Sequence, residues 1–172
     1  MREDLHGDVK PTAFTRRLPV SFAVEKFSDV YPAALDLLKL HYAEIAPMKD
    51  LFRLNPDLIT YRKLELMGIL YIITARDDGR LVGYVSLIVK EHLHYKDVLM
   101  ATDDIHFLHP DYRHGRVGIE MLLFAEKQMK TLGVKVMALR AKKASGHDPL
   151  YERLLGYEAM DVVYLKRLDK EP

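Results

Sequence analysis

Apolar residues in the first third of the chain recur first at strand spacing and then at helical spacing. A strand-like run at 20–27 precedes apolar positions that predict a helix over 28–45, with Ser28 as its N-cap. A second helix is predicted to begin with Asn55 as its cap and to stop at Gly68. The chain is therefore expected to open with one strand and two helices.

The pattern changes to strands after the second helix. Residues 69–76 are apolar and β-branched, and Asp78 and Gly79 separate them from a long apolar run at 81–94. An Asp-Gly pair between two such runs predicts a tight β-hairpin. A further strand is predicted over 98–110.

The last third of the chain alternates helices with strands. A helix is predicted to end at Gly133, and its apolar face comprises Ile119, Leu122, Leu123, Met129 and Leu132. A strand at 134–142, a short helix at 149–155 and a last strand at 161–168 follow. Hairpin-linked strands followed by alternating helices and strands predict an α+β domain with a mixed, mostly antiparallel sheet.

Composition and charge narrow the class of protein. The chain has 172 residues, 49% of them hydrophobic and 30% charged, with a net charge of +1. This length predicts one domain at 18–172 behind an N-terminal arm at 1–17. The nearly balanced charge argues against a nucleic-acid or membrane partner.

The absence of cysteine removes several kinds of site. With no cysteine there are no disulfides, cysteine nucleophiles or thiolate zinc sites. The polar N-terminal residues do not resemble a signal peptide, and no apolar run reaches the roughly 20 residues that span a bilayer. We expect a cytoplasmic protein. Histidines 92, 94, 106 and 109 are expected to lie scattered on the surface, so no metal site is predicted.

Glycines and arginines cluster at the mouth of the third helix. Arg113, Gly115, Arg116 and Gly118 precede or begin that helix. Its first N–H groups lack intrahelical partners, glycine allows close approach, and arginine adds forked donors, so the cluster predicts a pyrophosphate site. The alternative is a loop that needs glycine only for its turn. Neither the P-loop nor the dinucleotide pattern fits these residues.

The loop resembles that of the GCN5-related N-acetyltransferases (GNAT family). Their signature, Arg/Gln-x-x-Gly-x-Gly/Ala between a strand and a helix, is similar to the segment from Arg113 to Gly118, and residues 107–113 resemble its lead-in. Arg116 departs from the signature, since glycine is usual there. Loops with such a departure are similar to those of acetyltransferases from bacteriophage genomes.

The resemblance implies a fold and a cosubstrate. The fold would be a GNAT-type mixed, mostly antiparallel central sheet of six to seven strands, with splayed strands 4 and 5 and about four flanking helices. Acetyl-CoA would lie in the gap between the strands near 98–108 and 134–142. The implied cofactor-binding residues are Phe107, Leu108, Arg113, His114, Gly115, Arg116, Val117, Gly118 and Ile119.

The resemblance also implies a reaction and its residues. An acetyl group would pass from acetyl-CoA to a primary amine by direct attack in a ternary complex. Tyr151 would protonate the leaving thiolate as a general acid. The base would come from the strand before the loop, as Asp104 or His106. Strict alternation puts Asp104 and His106 on one face of that strand and Asp103 on the other.

The acceptor is left open by the sequence. It would be a small-molecule or peptide amine, recognised near residues 43–53, and Glu65 is a further candidate base. A homodimer is among the assemblies that the resemblance implies. The alternative function is a catalytically inactive CoA-binding or protein-interaction module on the same fold.

Overall fold

The computed structural model describes residues 20–142 and 150–169, in which one sheet carries helices on both faces. The strands are β1 (Ser21–Glu25), β2 (Leu70–Asp77), β3 (Arg80–Glu91), β4 (Leu99–Leu108) and β5 (Val136–Ala138). The helices are α1 (Phe27–Ile45), α2 (Leu58–Leu66), α3 (Val117–Thr131) and the short α4 (Leu150–Leu154), with a 3-10 turn at Pro110–Tyr112. The predicted α+β class is confirmed.

The sheet is mixed and mostly antiparallel, as predicted. Its strand order is β1-β2-β3-β4-β5, and only β4 and β5 run parallel. The predicted hairpin joins β2 to β3, with a positive φ at both Asp78 (47°) and Gly79 (79°). Two central residues with positive φ form the turn whose twist matches the flanking strands.

Both long N-terminal helices start differently from the prediction. The N-cap of α1 is Lys26 rather than Ser28, and the Phe27 N–H donates to the carboxylate of Glu65 on α2. The N-cap of α2 is Asp57, whose carboxylate accepts the Thr60 N–H at 3.0 Å. A tertiary contact therefore satisfies the start of α1, where local pattern predicted a side-chain cap.

The apolar core lies on both faces of the sheet. Helices α3 and α4 cover one face, where Val85, Leu87, Ala101, Ala125 and Met129 are buried. Helix α1 covers the other face, where Val30, Leu37, Ile72, Tyr84 and Phe107 are buried. Since β3 is buried on both faces, it is the centre of the fold.

A β-bulge in β4 sets the direction of its polar side chains. Ser86 of β3 pairs with Ile105 and Leu87 pairs with Asp103, so Asp104 is an extra residue without a partner in the ladder. One extra residue reverses the alternation of side chains beyond it. The predicted shared face of Asp104 and His106 is therefore wrong, and Asp103 shares a face with His106 instead.

The predicted last strand does not form. Within the described residues, the segment 161–168 pairs with no strand, and Val162, Val163 and Tyr164 are 69, 70 and 87% exposed. Arg167 binds Asp50, which lies in the loop after α1, so the segment is tied to that loop and not to β5. The part of the chain that the structure describes has five strands, and the prediction of six to seven is wrong.

Two further predictions concern the N-terminal arm and segments that could span a membrane. The predicted arm at 1–17 lies outside the described residues. Within the described ranges, every helix is too short or too polar to cross a bilayer.

Candidate active site

The glycine loop joins β4 to α3 with one residue in the left-handed region. Gly115 has φ +108°, whereas Arg116 has φ −105° and ψ −6°, a right-handed conformation open to any residue. The arginine at position 116 therefore costs the backbone nothing, because the turn needs its glycine one residue earlier.

The start of α3 presents unpaired backbone donors. The first intrahelical bond runs from the Glu120 N–H to the Arg116 carbonyl at 2.9 Å, so the N–H groups of Val117, Gly118 and Ile119 precede it. A Cβ added at Gly118 would lie 3.5 Å from Leu108, an ordinary contact, so the protein itself does not require glycine there. The helix end and the missing side chain suit an anion that approaches the backbone closely.

The two loop arginines have different surroundings. The guanidinium of Arg113 forms two 2.7 Å hydrogen bonds to Glu44 of α1, and its Nε donates to the Leu108 carbonyl at 2.9 Å. The Arg116 side chain is 72% exposed, and among the described residues its ion pair is a 3.5 Å contact with Glu120. Arg116 is therefore the more available of the two cations.

Phe107 and Leu108, predicted to bind the cofactor, mainly pack inside the protein. Phe107 is buried and stacks on His41, with ring centroids 4.7 Å apart. Leu108 is half-buried and contacts the α3 side of the core. Their side chains support the loop, and only their backbone could face a ligand.

Three side chains form a hydrogen-bonded chain beside the loop. The hydroxyl of Tyr151 on α4 lies 2.7 Å from Nε2 of His106, and Nδ1 of His106 lies 2.8 Å from a carboxylate oxygen of Asp103. Asp103 and Tyr151 are buried, and His106 is largely so. A neutral imidazole with its hydrogen on Nδ1 accepts the tyrosine hydroxyl hydrogen at Nε2, whereas a protonated imidazole donates from Nε2 to the hydroxyl oxygen. The pair can therefore pass a proton in either direction.

Asp103 also binds Arg140, in the segment after β5 where β5 no longer pairs with β4. Pairing of β4 with β5 stops at Thr102 and Ala138. Beyond that point the backbone N–H and Nε of Arg140 donate to the Asp103 carboxylate at 3.0 and 3.2 Å. Beyond the ladder, side-chain hydrogen bonds of Asp103 therefore link the strand β4 to the segment that follows β5.

The structure separates the two candidate bases predicted from the sequence. His106 belongs to the relay, whereas the Asp104 carboxylate accepts the hydroxyl of Tyr61 on α2 at 2.5 Å. Burial, and then this hydrogen bond, raise the pKa of Tyr61. Asp103 was missed because the bulge that turns it toward His106 has no signature in the sequence.

A second buried histidine lies on the α1 side of β4. Nδ1 of His41 lies 2.7 Å from the Tyr84 hydroxyl. Burial lowers the pKa of His41 to about 4, and the charge of a protonated His106 acts in the same direction. His41 is therefore neutral near pH 7 and serves as a packed, hydrogen-bonded group.

We expect the free energy of unfolding to fall as the pH drops from about 6.5 toward about 4. The pKa of an unfolded histidine is near 6.5, so in this window the unfolded state binds the proton that folded His41 refuses. The loss from this group is at most about 1.4 kcal/mol per pH unit. Urea unfolding at several pH values measures this dependence. The unfolding free energy of His41→Asn should change less with pH between about 4 and 6.5 than that of the wild type, and an equal change would contradict the assignment.

A cavity lies near the stretch predicted to recognise the acceptor. Its volume is about 330 Å³, and Met48, Leu51 and Phe52 line one side. Residues 165–169 line the other side, including Arg167. The predicted acceptor stretch at 43–53 thus borders an open, mainly apolar space. Within the described ranges, no three histidine or acidic side chains are grouped as metal ligands.

Comparison with protein families gives one match. A family model described as "Acetyltransferase (GNAT) family" matches residues 32–157. No significant match is found among curated protein sequences.

Solved structures share the fold at low sequence identity. An aminoglycoside acetyltransferase from an uncultured soil metagenomic sample is 16% identical, with a TM-score of 0.69 over 88% of this chain and 97% of that one. A ribosomal-protein-alanine N-acetyltransferase from Brucella melitensis is 19% identical, with a TM-score of 0.65 over 87% and 99%. An aminoglycoside N-acetyltransferase solved with CoA is 13% identical, with a TM-score of 0.63 over 86% and 98%.

Proposed function

The chain belongs to the GNAT acetyltransferase family, and we propose that it transfers the acetyl group of acetyl-CoA to a primary amine. The observation that carries the proposal is the hydrogen-bonded chain from Tyr151 through His106 to Asp103, on the strand that leads into the glycine loop. His106 precedes Leu108 by two residues, or about 7 Å along the strand. The relay therefore lies near the end of the strand that leads into the loop before the proposed anion site.

The start of α3 would hold the pyrophosphate of acetyl-CoA. The N–H groups of Val117, Gly118 and Ile119 would donate to its oxygens, and the exposed guanidinium of Arg116 would add a charged donor. The bare backbone at Gly118 leaves room for that approach. The residues present therefore fit this substrate, whose thioester supplies the acetyl group.

The relay would deliver a proton to sulfur. The amine nitrogen attacks the thioester carbon, the new C–N bond forms, and the C–S bond breaks to release a thiolate. Tyr151 gives its proton to the thiolate and takes another from protonated His106, whose charge Asp103 stabilises. The proton that the amine nitrogen loses restores His106, so protons balance over the cycle.

The histidine supplies a driving force that a tyrosine alone lacks. An ordinary phenol is a weaker acid than an ordinary thiol, by about 1.5 in pKa, so a lone phenol would keep its proton. An imidazolium beside the phenol replaces that proton as it leaves and makes the transfer favourable. Asp104, the other base predicted from the sequence, is exposed and lies outside the relay, so we assign it to attracting the amine and not to proton transfer.

The acceptor would be an amine that lies between α1, α2 and the end of β4. The exposed carboxylate of Asp104 would attract a cationic amine, and the cavity beside Met48 and Phe52 would take apolar parts of the molecule. Structurally similar proteins are named for aminoglycosides and for a ribosomal-protein alanine. Both kinds of amine therefore belong in a first screen.

Release of free thiol from acetyl-CoA tests the proposed function. The full chain is mixed with acetyl-CoA and a panel of aminoglycosides, polyamines and peptides with N-terminal alanine, and the acetylated product is identified by mass spectrometry. Turnover of at least one amine supports an N-acetyltransferase. Saturable acetyl-CoA binding without turnover of any amine would favour the inactive CoA-binding module instead.

Asparagine substitutions at the paired aspartates should have unequal effects on the active amine. Asp103→Asn removes the charge that stabilises protonated His106, so we expect kcat to fall by about 10- to 100-fold, with the pH profile shifted toward acid. Asp104→Asn is the matched control on the other face and should mainly change the KM for the amine. Equal losses of kcat in both variants would contradict the relay, and circular dichroism checks that both are folded.

A further inference from the structure

We propose that Arg113 is a positioning residue, held by Glu44 of α1, and that it does not bind the pyrophosphate of acetyl-CoA. This inference rests on the proposed function. It reassigns an arginine that the sequence pattern placed among the cofactor-binding residues. The turn of α1 that carries Glu44 would then fix the loop from outside it.

The N–H groups of the Arg113 guanidinium already have hydrogen-bond partners within the protein. Both terminal nitrogens bond to the two oxygens of Glu44 at 2.7 Å, and Nε bonds to the Leu108 carbonyl at 2.9 Å. A two-pronged arginine–carboxylate contact is directional and strong. A phosphate group would have to displace Glu44 to gain the same contact.

The face of the guanidinium is engaged as well. Its central carbon lies 5.0 Å from the centroid of the Phe107 ring, a cation–π distance. Phe107 in turn stacks on His41 at 4.7 Å with an interplanar angle of 17°. His41 and Glu44 are three residues apart on α1 and so lie on one side of it. One turn of α1 therefore contacts Arg113 directly through the charge pair with Glu44, and His41 on the same turn supports the Phe107 ring that Arg113 covers.

The net charge around Arg113 differs from that expected around an arginine that binds a phosphate. The Glu44 carboxylate neutralises Arg113, so the pair adds no net charge to the anion site. The attraction for pyrophosphate is left to the helix end and to Arg116, which is largely exposed. Arg113 and Arg116 thus have different tasks, although the sequence presents them as equivalents.

The positioning role and the ligand role predict opposite changes in acetyl-CoA affinity for Glu44→Gln. If Arg113 positions the loop, Glu44→Gln loosens it and weakens acetyl-CoA binding. If Arg113 were a phosphate ligand, Glu44 would compete with the phosphate, and Glu44→Gln would tighten binding. Lysine at position 113 also discriminates, because a point charge replaces a phosphate contact better than a two-pronged carboxylate contact.

The test is a calorimetric titration of the full chain with acetyl-CoA, for wild type, Glu44→Gln, Arg113→Gln, the double variant and Arg113→Lys. We expect each glutamine variant to raise Kd by about tenfold, the double variant to be no worse than either one, and Arg113→Lys not to restore binding. Asp36→Asn, an exposed carboxylate on the same helix, controls for net charge and should leave Kd unchanged.

Each outcome decides between the possibilities. Tighter binding by Glu44→Gln, or wild-type affinity in Arg113→Lys, would overturn the positioning role while leaving the proposed function standing. No binding by the wild type would overturn the proposed function, and this inference with it. Urea unfolding of every variant identifies any loss of binding that reflects a loss of fold. If Glu44→Gln is unstable, Arg113→Lys still decides the question.

Discussion

Replacing Tyr151 by phenylalanine is expected to lower kcat for acetyl transfer by about 10²- to 10⁴-fold and to leave the Kd of acetyl-CoA nearly unchanged. The substitution removes one oxygen, the one that lies 2.7 Å from Nε2 of His106. Without it, the imidazole cannot pass a proton to the departing sulfur. Steady-state kinetics on the amine found by screening, together with calorimetric titration, separate the chemical step from binding.

A neighbouring tyrosine provides the control for Tyr151. Tyr157 is half-buried with its ring 6.1 Å from that of Tyr151, but its hydroxyl is not a member of the relay. Tyr157→Phe should keep kcat within a few-fold of wild type. A kcat for Tyr151→Phe as high as that of this control would show that the phenol takes no part in proton transfer.

Tryptophan at Gly118 should raise the Kd of acetyl-CoA by at least about 100-fold. The position lies in the first turn of α3, next to the N–H groups that would receive the pyrophosphate. An indole there would cover those donors. The fold itself tolerates a Cβ at this position, because that atom would make only an ordinary contact with Leu108. A 100-fold loss corresponds to about 2.7 kcal/mol of binding free energy. Calorimetric titration measures it directly.

The matched variant for Gly118→Trp is Leu123→Trp on the same helix. Leu123 is 43% exposed, so the larger side chain can extend into solvent away from the loop. This variant should bind acetyl-CoA as the wild type does. If Gly118→Trp is folded by circular dichroism and binds with wild-type affinity, the pyrophosphate must lie elsewhere.

Local patterns predicted most of the secondary structure. Helical spacing over 28–45, the Asp78-Gly79 turn and the amphipathic stretch that ends at Gly133 all correspond to observed elements, because periodicity and turn chemistry act within a few residues. The start of α1 was missed because Glu65 on another helix satisfies it. The prediction of a last strand was wrong because the apolar run that suggested it pairs with no strand among the described residues.

The candidate site was predictable as a set of segments but not as a geometry. Tyr151 and His106 were predicted, and the structure brings them within hydrogen-bond distance. Asp103 was missed because the bulge at Asp104 reverses the alternation of side chains along β4, which puts Asp103 on the same face as His106. The partner of Arg113 was also invisible, since Glu44 is distant in sequence. Pairing register and long-range ion pairs depend on the whole sheet.

The most direct test of the account is a calorimetric titration of the wild-type chain with acetyl-CoA. The geometry at the start of α3 predicts saturable binding of one molecule per chain, with a Kd between about 1 μM and 1 mM. Binding that is tighter for acetyl-CoA than for its pantetheine portion alone would locate the affinity in the pyrophosphate contacts. No heat of binding at millimolar acetyl-CoA would contradict the account.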